Sequence, residues 1–488
     1  MPLTLAEILE ATDAEVRGGG HLPADLRFPQ IERDSRQVAP GDLFIAIRGE
    51  VHDGHQFVAE AAAKGAAAAL VSKEWAAGQT EPPLPLLVVE APVDALQVMA
   101  GVWRNRLDDL IVVGITGSIG KTSTKEVVAS VLGGRYRTYR NPGNLNNEIG
   151  LPLSVLAITP DTEAAVLEMG GAYAFGELRL LAEIARPRLA VVTNVFPVHL
   201  ERMGSIEAIA ETKAELVEAL PDDGIAILHG DDPRVRAMAG RCRGRVVSYG
   251  LDPSNDVSAS EVTTEALAGT SFWLNLGGER LFVKVPLVGG HAVELALAGF
   301  ATGHALGLHI AEMLPGFDDP AIQVRLLVSP GPRGSRIIDD TYNASTPSVL
   351  SALGLLESLG PRRAIVVLGE MREMGELAAE EHKIVGRRAG EVADLVVTYG
   401  ELARIIAAEA ATVAGRNEGR PPTVISFGLE QRDELVRFLQ RELQAGDVVL
   451  LKGSRGLRME EIVEVLRADA GLDRPGEMTD SDGQTAAQ

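Results

Sequence analysis

The stretch that most constrains this chain is residues 110–126, Leu-Ile-Val-Val-Gly-Ile-Thr-Gly-Ser-Ile-Gly-Lys-Thr-Ser-Thr-Lys-Glu. Leu110 to Val113 is an apolar run of the kind a buried parallel strand shows. A turn holding Gly114, Gly117 and Gly120 follows, and then a helix with Val127, Val128, Val131 and Leu132 at helical spacing. Strand, glycine turn, Lys-Thr and helix is the layout of a phosphate-binding loop. Glycines let backbone N–H groups approach a polyphosphate, and the helix N-terminus adds partial positive charge. Residues Thr116, Gly117, Ser118, Ile119, Gly120, Lys121 and Thr122 are the expected phosphate cradle. Lys121 would reach the terminal phosphates, and the Thr122 hydroxyl would ligate Mg²⁺. The strict pattern G-x-x-x-x-G-K-[ST] is not met, because Ile115 stands where its first glycine belongs. An ordinary glycine turn is the competing reading. Gly-Lys-Thr at the closing position speaks against it.

The segments that follow supply groups for a cation. The predicted strand Ala164 to Leu167 runs into Glu168, and the predicted strand Leu189 to Val192 runs into Thr193-Asn194 with His199 shortly beyond. In open α/β sheets ligands collect at the carboxyl ends of strands. Glu168 and His199 could therefore hold a divalent cation beside the phosphates; a capping Glu and a surface His is the plainer alternative. The helix predicted over Ile206 to Leu220 has an apolar stripe of Ile206, Ile209, Ala210, Leu216, Val217 and Leu220. Lys213 falls on that stripe. It either snorkels to the rim or points at the site, where burial favours its neutral, modifiable form.

The remaining pattern implies an α/β fold of three domains. Residues 1–108 form a small α/β domain, with strands over Leu43 to Ile47 and Leu86 to Val89 and an alanine-rich helix over Ala59 to Ala69. Residues 109–316 form a central mononucleotide-binding domain of phosphate-loop type. Residues 317–468 alternate strands (Arg336 to Asp340, Ala364 to Leu368, Leu395 to Thr398, Val424 to Phe427, Val448 to Lys452) with helices such as Pro347 to Leu359, a Rossmann-like pattern. Residues 469–488, poor in apolar groups, are expected to be a disordered tail. A formal net charge of −22 argues against nucleic acid as a partner, since no basic surplus meets the phosphates. The single cysteine excludes an intrachain disulfide and fits a reducing cytoplasm. No apolar stretch reaches the ~18 residues of a membrane-spanning helix, so membrane insertion is not expected.

At this point the motifs carry a family resemblance. The chain resembles the Mur ligases of bacterial cell-wall synthesis over nearly its whole length. The resemblance rests on Asp34-Ser35-Arg36 with Pro40-Gly41-Asp42-Leu43-Phe44, and on Gly49-Glu50 with Asp53-Gly54-His55. It continues through Thr116 to Thr122, Asn144-Leu145-Asn146-Asn147, Glu168-Met169-Gly170, Thr193-Asn194 and His199-Leu200-Glu201. It ends with Asp339-Asp340-Thr341-Tyr342-Asn343-Ala344 and Lys452-Gly453-Ser454-Arg455, patterns that point to the member adding a D-alanyl-D-alanine dipeptide. The resemblance implies a monomeric, cytoplasmic enzyme of peptidoglycan synthesis. ATP would phosphorylate the terminal carboxylate of UDP-N-acetylmuramoyl-tripeptide, and the dipeptide amine would then displace the phosphate. It further implies that Glu168, His199, Thr122 and a carbamylated Lys213 hold Mg²⁺, two ions in all. Arg325 and Asp340 would lie at the nucleotide. Ser35, Arg36, Asp53, His55, Asn146, Asn147, Asn343 and Ser454 would lie at the other substrates.

One departure stands out. The family shows H-N-x-x-N in the helix that closes the central domain, and its second asparagine reads the adenine edge. Here the stretch is His291-Ala292-Val293-Glu294-Leu295, and Gln323-Val324 replaces the usual Pro-Gly before Arg325. Two other readings stay open: a relative that extends folate with glutamate, and, supported only by the altered helix, a non-catalytic nucleotide-binding scaffold.

Overall fold

The computed structural model describes residues 2–20, 22–49, 52–171, 174–198, 200–265, 269–319, 322, 327–416 and 419–469. Three sheets organise them. The first has its strands in the order Glu15–Arg17, Leu86–Val89, Ala68–Ser72, Leu43–Ile45, Ile31–Glu32. The first pair is antiparallel and the others are parallel. The second sheet runs Glu279–Val285, Thr270–Leu276, Val257–Thr264, Arg245–Gly250, Ile225–His229, Leu189–Val192, Ile111–Thr116, Ala164–Glu168, Thr138–Arg140. Its parallel half places Ile111–Thr116 between Leu189–Val192 and Ala164–Glu168, so the three strand ends that carry the sequence motifs are neighbours. The antiparallel hairpin at its far edge turns through Gly277 and Gly278, both at positive φ, as a two-residue turn of this hand requires.

These two sheets belong to one compact unit, Met1–Thr263 with Thr270–Pro286 and Val293–Ile322. One buried apolar cluster includes Leu43, Leu70 and Leu87 of the first sheet with Val112, Leu167 and Val192 of the second. The helix Pro92–Arg104 ties them together. Its Trp103 indole donates to the Ile158 carbonyl at 2.9 Å, and the buried Arg104 guanidinium donates to the carbonyls of Ala185 and Leu107 at 2.8 Å each. Ala185 ends the helix Glu177–Ala185, so Arg104 places its charge where orphan carbonyls and the helix dipole favour a cation.

The second unit is Thr264–Gly269, Leu287–Ala292 and Gln323–Gln488. Its sheet runs Leu327–Pro330, Arg336–Asp339, Asp447–Lys452, Arg363–Gly369, Leu395–Tyr399, Thr423–Phe427. All neighbours are parallel except the first pair. Two separate apolar clusters draw on alternate residues of its strands: Val366 and Leu368 in one, Ile365 and Val367 in the other. Helices therefore cover both faces, the doubly wound arrangement that fully apolar parallel strands demand.

Three sequence expectations need correction. The alanine-rich stretch Ala59 to Ala69 is not one helix. It is the helix Val58–Ala63, a turn through Gly65 at a φ of 93°, and the strand Ala68–Ser72. Alanine favours helix in isolation, but the register with Leu43–Ile45 buries Ala68 and Ala69 in the sheet, and packing outweighs propensity. The phosphate-loop strand spans Ile111–Thr116 rather than Leu110 to Val113. It continues through Gly114, where a side chain would meet Leu216 and Met169. The strand after the Val38–Asp42 turn stops at Ile45. The expected tail lies almost wholly outside the described residues. Among those described, no helix is long and apolar enough to cross a membrane.

Candidate nucleotide and metal site

The helix Lys121–Leu132 begins at Gly120 in left-handed conformation, with no side-chain cap on its first turn. An uncapped first turn presents backbone N–H groups to an anion. Gly117 has a φ of 151°, and a Cβ there would sit 1.9 Å from the Thr193 hydroxyl, so only glycine fits. Asn194 holds the loop from the next strand. It accepts from the Ile119 N–H at 2.9 Å through its side chain, donates to the Ile119 carbonyl at 3.0 Å, and accepts from the Ser118 N–H at 3.0 Å through its carbonyl. The Ser118 hydroxyl exchanges hydrogen bonds with the Phe196 backbone, and Thr193 donates to Ile119. Ser118 and Ile119 thus spend their polar groups on the Thr193–Phe196 segment. Thr116 is wholly buried and underlies the loop. Asn194 had appeared in the sequence only as part of a motif, and its role as the loop's clamp becomes visible with the hydrogen bonds.

Lys121 Nζ lies over the loop, donating to the carbonyls of Gly117 and Ser118 at 2.8 and 3.1 Å. The Thr122 hydroxyl donates to one carboxylate oxygen of Glu168 at 2.5 Å, and Asn146 donates to the other at 2.6 Å. The Asn147 side chain instead accepts from the Gly150 N–H at 2.9 Å, where the following helix begins. Lys213 is buried on its helix face, with Nζ 3.5 Å from the Gly171 carbonyl. Burial, reinforced by the nearby Lys121 charge, pulls its amine down to about 7. The snorkelling alternative does not hold. Glu215, on the same helix, accepts from the Gly176 and Arg179 N–H groups and fixes the start of the helix Glu177–Ala185. His199 and Arg325 lie outside the described residues. Among the described residues no group of three His, Cys, Asp or Glu side chains could by itself hold a metal ion.

The N-terminal candidates have other partners. His55 is buried; its Nδ1 contacts Asp53 at 2.6 Å and its Nε2 accepts from the Ser72 N–H at 3.0 Å. Both ring nitrogens are used, so His55 braces the loop carrying Asp53 against the strand Ala68–Ser72. Ser35 is buried and donates to Glu60 at 2.9 Å, while Arg36 is exposed and paired with Asp34.

In the second unit, the buried Lys452 amine reaches Asp340 at 2.6 Å and donates to the Asn343 carbonyl at 2.8 Å. The Asn343 side chain accepts from the next backbone N–H, that of Ala344. Ser454 accepts from the Arg372 N–H at 2.8 Å, and Arg372 pairs with Glu370. This loop is held by a residue that sequence reasoning missed, His382. It is buried; its Nδ1 bonds the Ala378 carbonyl at 2.6 Å, so Nε2 is free to accept from the Met371 N–H at 3.0 Å. Burial lowers its pKa below the ordinary histidine value. The unfolded chain therefore takes up this proton first, and stability falls as pH drops from about 6.5 toward the folded value. The slope for one proton is at most about 1.4 kcal/mol per pH unit. Denaturation midpoints of wild type and His382→Gln between pH 7.5 and 5 check this: the variant's profile should be flatter by up to one proton.

A phosphate loop on a parallel sheet, a buried carboxylate beside its threonine, and a second doubly wound sheet on the same chain define a nucleotide-binding protein of a particular kind. Family models describe it in three pieces. The Mur ligase family catalytic domain matches residues 28–100, the Mur ligase middle domain 115–303, and the Mur ligase glutamate ligase domain 325–455. The chain belongs to the Mur ligase family. It is similar to the UDP-N-acetylmuramoyl-tripeptide–D-alanyl-D-alanine ligase of Bacillus subtilis, 37% identical over 89% of this chain and 92% of the relative. The ligase of the same name in Escherichia coli is 31% identical over 95% and 98%. Among solved structures, MurF from Acinetobacter baumannii superimposes with a TM-score of 0.82 at 27% identity, covering 96% of this chain and 99% of that one. MurF from Thermotoga maritima, solved in complex with ADP, has a TM-score of 0.73 at 29% identity, covering 92% and 99%.

Proposed function

We propose that this protein is an ATP-dependent ligase that joins D-alanyl-D-alanine to UDP-N-acetylmuramoyl-tripeptide in peptidoglycan precursor synthesis. The observation that carries this reading is kinship over nearly the whole chain with relatives named for that reaction. The contact between Thr122 and Glu168 beside Lys121 supports it. A scaffold would need neither a buried carboxylate at the phosphate loop nor a depressed lysine beside it.

In this reading the first turn of the helix Lys121–Leu132 and the Lys121 amine bind the ATP phosphates. Thr122 and Glu168 bring two hard oxygens together in a buried setting, which suits Mg²⁺. With His199 and a carbamate on Lys213 they would hold two such ions. Bound Mg²⁺ would supply charge neutralisation between the reacting carboxylate and the triphosphate. The tripeptide carboxylate oxygen attacks the γ-phosphorus, the bond to the bridging oxygen breaks, and ADP leaves. The dipeptide amine attacks the resulting acyl phosphate at carbon and loses a proton, and phosphate leaves with the bonding pair. Lys121 offsets charge on the transferring group. Ser35, Arg36, Asp53 and His55 would lie near the UDP-sugar, and Asp340, Asn343 and Ser454 near the nucleotide and the incoming amine. The enzyme acts as a monomer in the cytoplasm. Phosphate release with ATP, tripeptide substrate, dipeptide and Mg²⁺ tests this: omission of any one should abolish it. Release at the full rate without D-alanyl-D-alanine would mean a plain ATPase.

Base recognition should be altered. Ala292 is buried and Leu295 half-buried at the start of the helix Ala292–Ala305, and neither offers a hydrogen bond to a purine edge. A lost base-edge bond costs about 1–3 kcal/mol, or about 5–150-fold in affinity. ATP should bind correspondingly less tightly and GTP should compete well. Ala292→Asn with Leu295→Asn should lower the KM for ATP. A native preference for ATP of several hundredfold, unchanged by the pair, would place base reading elsewhere. Glu294 is then the group to test, since its Oε2 is buried without a partner among the described residues.

A further inference from the structure

Lys125 carries a charge that nothing in the proposed chemistry uses. It lies one helical turn beyond Lys121 and is 0% exposed. Its ammonium donates to the carbonyls of Asn141 and Gly143 at 2.6 and 3.3 Å and meets Glu126 Oε1 at 3.1 Å. Three donors have three acceptors, as a buried ammonium requires. Glu126 is shared, because its other oxygen pairs with Arg140 at 3.0 Å. The two carbonyls belong to one turn, and that turn grips Glu168. The buried Asn141 side chain accepts from the Glu168 N–H at 2.9 Å and donates to the Glu168 carbonyl at 3.2 Å. It also closes its own turn on the Leu145 carbonyl at 2.8 Å. Asn146, at the end of the turn, donates to the Glu168 carboxylate at 2.6 Å, and its carbonyl accepts from the Gly170 N–H at 2.7 Å. Backbone N–H, backbone carbonyl and one carboxylate oxygen of Glu168 are thus all set by a turn pinned through Lys125.

We infer that Lys125 is a positioning residue that orients the Glu168 carboxylate for a divalent cation by anchoring the turn from Asn141 to Asn146. The inference rests on the assignment of Glu168 as a cation ligand. Physically, the helix that presents Thr122 also presents Lys125, so one rigid element places both the hydroxyl and, through the turn, the carboxylate. Partners behind a metal ligand typically change affinity by about 10–100-fold when removed.

The test is Mn²⁺ binding to the full-length protein with ADP, read by electron paramagnetic resonance, beside ADP binding in EDTA and thermal melts. Lys125→Met keeps the volume and removes the charge. Mn²⁺ affinity should fall at least tenfold, with kcat falling in step at fixed Mg²⁺, while metal-free ADP binding stays within threefold. Lys125→Gln, which retains a donor, should show the same pattern more weakly and covers the case in which the methionine variant does not fold. Unchanged Mn²⁺ affinity in either folded variant would overturn the inference. So would parallel losses of Mn²⁺ and metal-free ADP binding, which indicate a structural role only. Glu168→Gln separates the underlying assignment: if it leaves Mn²⁺ binding intact, Glu168 is not the ligand and that reading fails with it.

Discussion

Lys121→Ala is expected to reduce phosphate release by about 10³-fold, with little change in melting temperature. The amine lies over the loop, bonded to the carbonyls of Gly117 and Ser118, and Lys121 is half-buried and outside the core. Removing it therefore costs the fold little. The transition state loses a charge aimed at the transferring phosphoryl group, and single donors of this kind contribute about 10²–10³ in kcat. At about 1.4 kcal/mol per decade the upper figure corresponds to roughly 4 kcal/mol. Lys121→Arg should recover little, because the guanidinium is planar and larger than a point-like ammonium. Steady-state phosphate release and calorimetric ADP binding check the split: kcat should fall further than nucleotide affinity. A variant retaining a tenth of wild-type turnover would remove Lys121 from the chemistry.

Lys213→Ala is expected to lose about 10²–10³-fold in activity and to regain part of it with added formate or acetate. The amine is buried and lowered to about 7, so near neutral pH a large share is free base. A free amine attacks carbon dioxide, an N–C bond forms, a proton leaves, and a carbamate results. The modified side chain is then an anion with two oxygens, so the Lys121 charge, which adds to burial in lowering the amine, attracts it instead. Small carboxylates fill the same volume with the same charge, hence the rescue. Bicarbonate should raise wild-type activity in carbon dioxide-depleted buffer, and the effect should fade as pH is lowered through about 7, where the amine takes up a proton. Absence of rescue, together with an unmodified amine in a Mg²⁺-bound crystal structure, would contradict the proposal.

What the sequence determined by itself lies where chemistry and local geometry coincide. Gly117, Gly120, Lys121 and Thr122 fall within one short stretch, and a glycine demanded by a steric clash or a positive φ is visible as a glycine. The apolar runs at Ala164–Glu168, Leu189–Val192 and Leu395–Tyr399 are strands because parallel strands covered on both faces admit little else. Lys213 was legible because a charge on an apolar helical stripe has few explanations. Tertiary structure alone decided the rest. The Ala59 to Ala69 stretch divides into helix and strand only because a neighbouring strand offers Ala68 and Ala69 a buried register. The partners of His55, Asp53 two residues away and the Ser72 N–H at the end of a strand, are fixed only by the fold. Asn194, His382 and Lys125 act through hydrogen bonds to backbone atoms of other segments, and any residue offers those same atoms. Side-chain identity therefore carries no mark of the partner. Sequence records which groups are available; the hydrogen-bond geometry that assigns them forms only when distant segments pack.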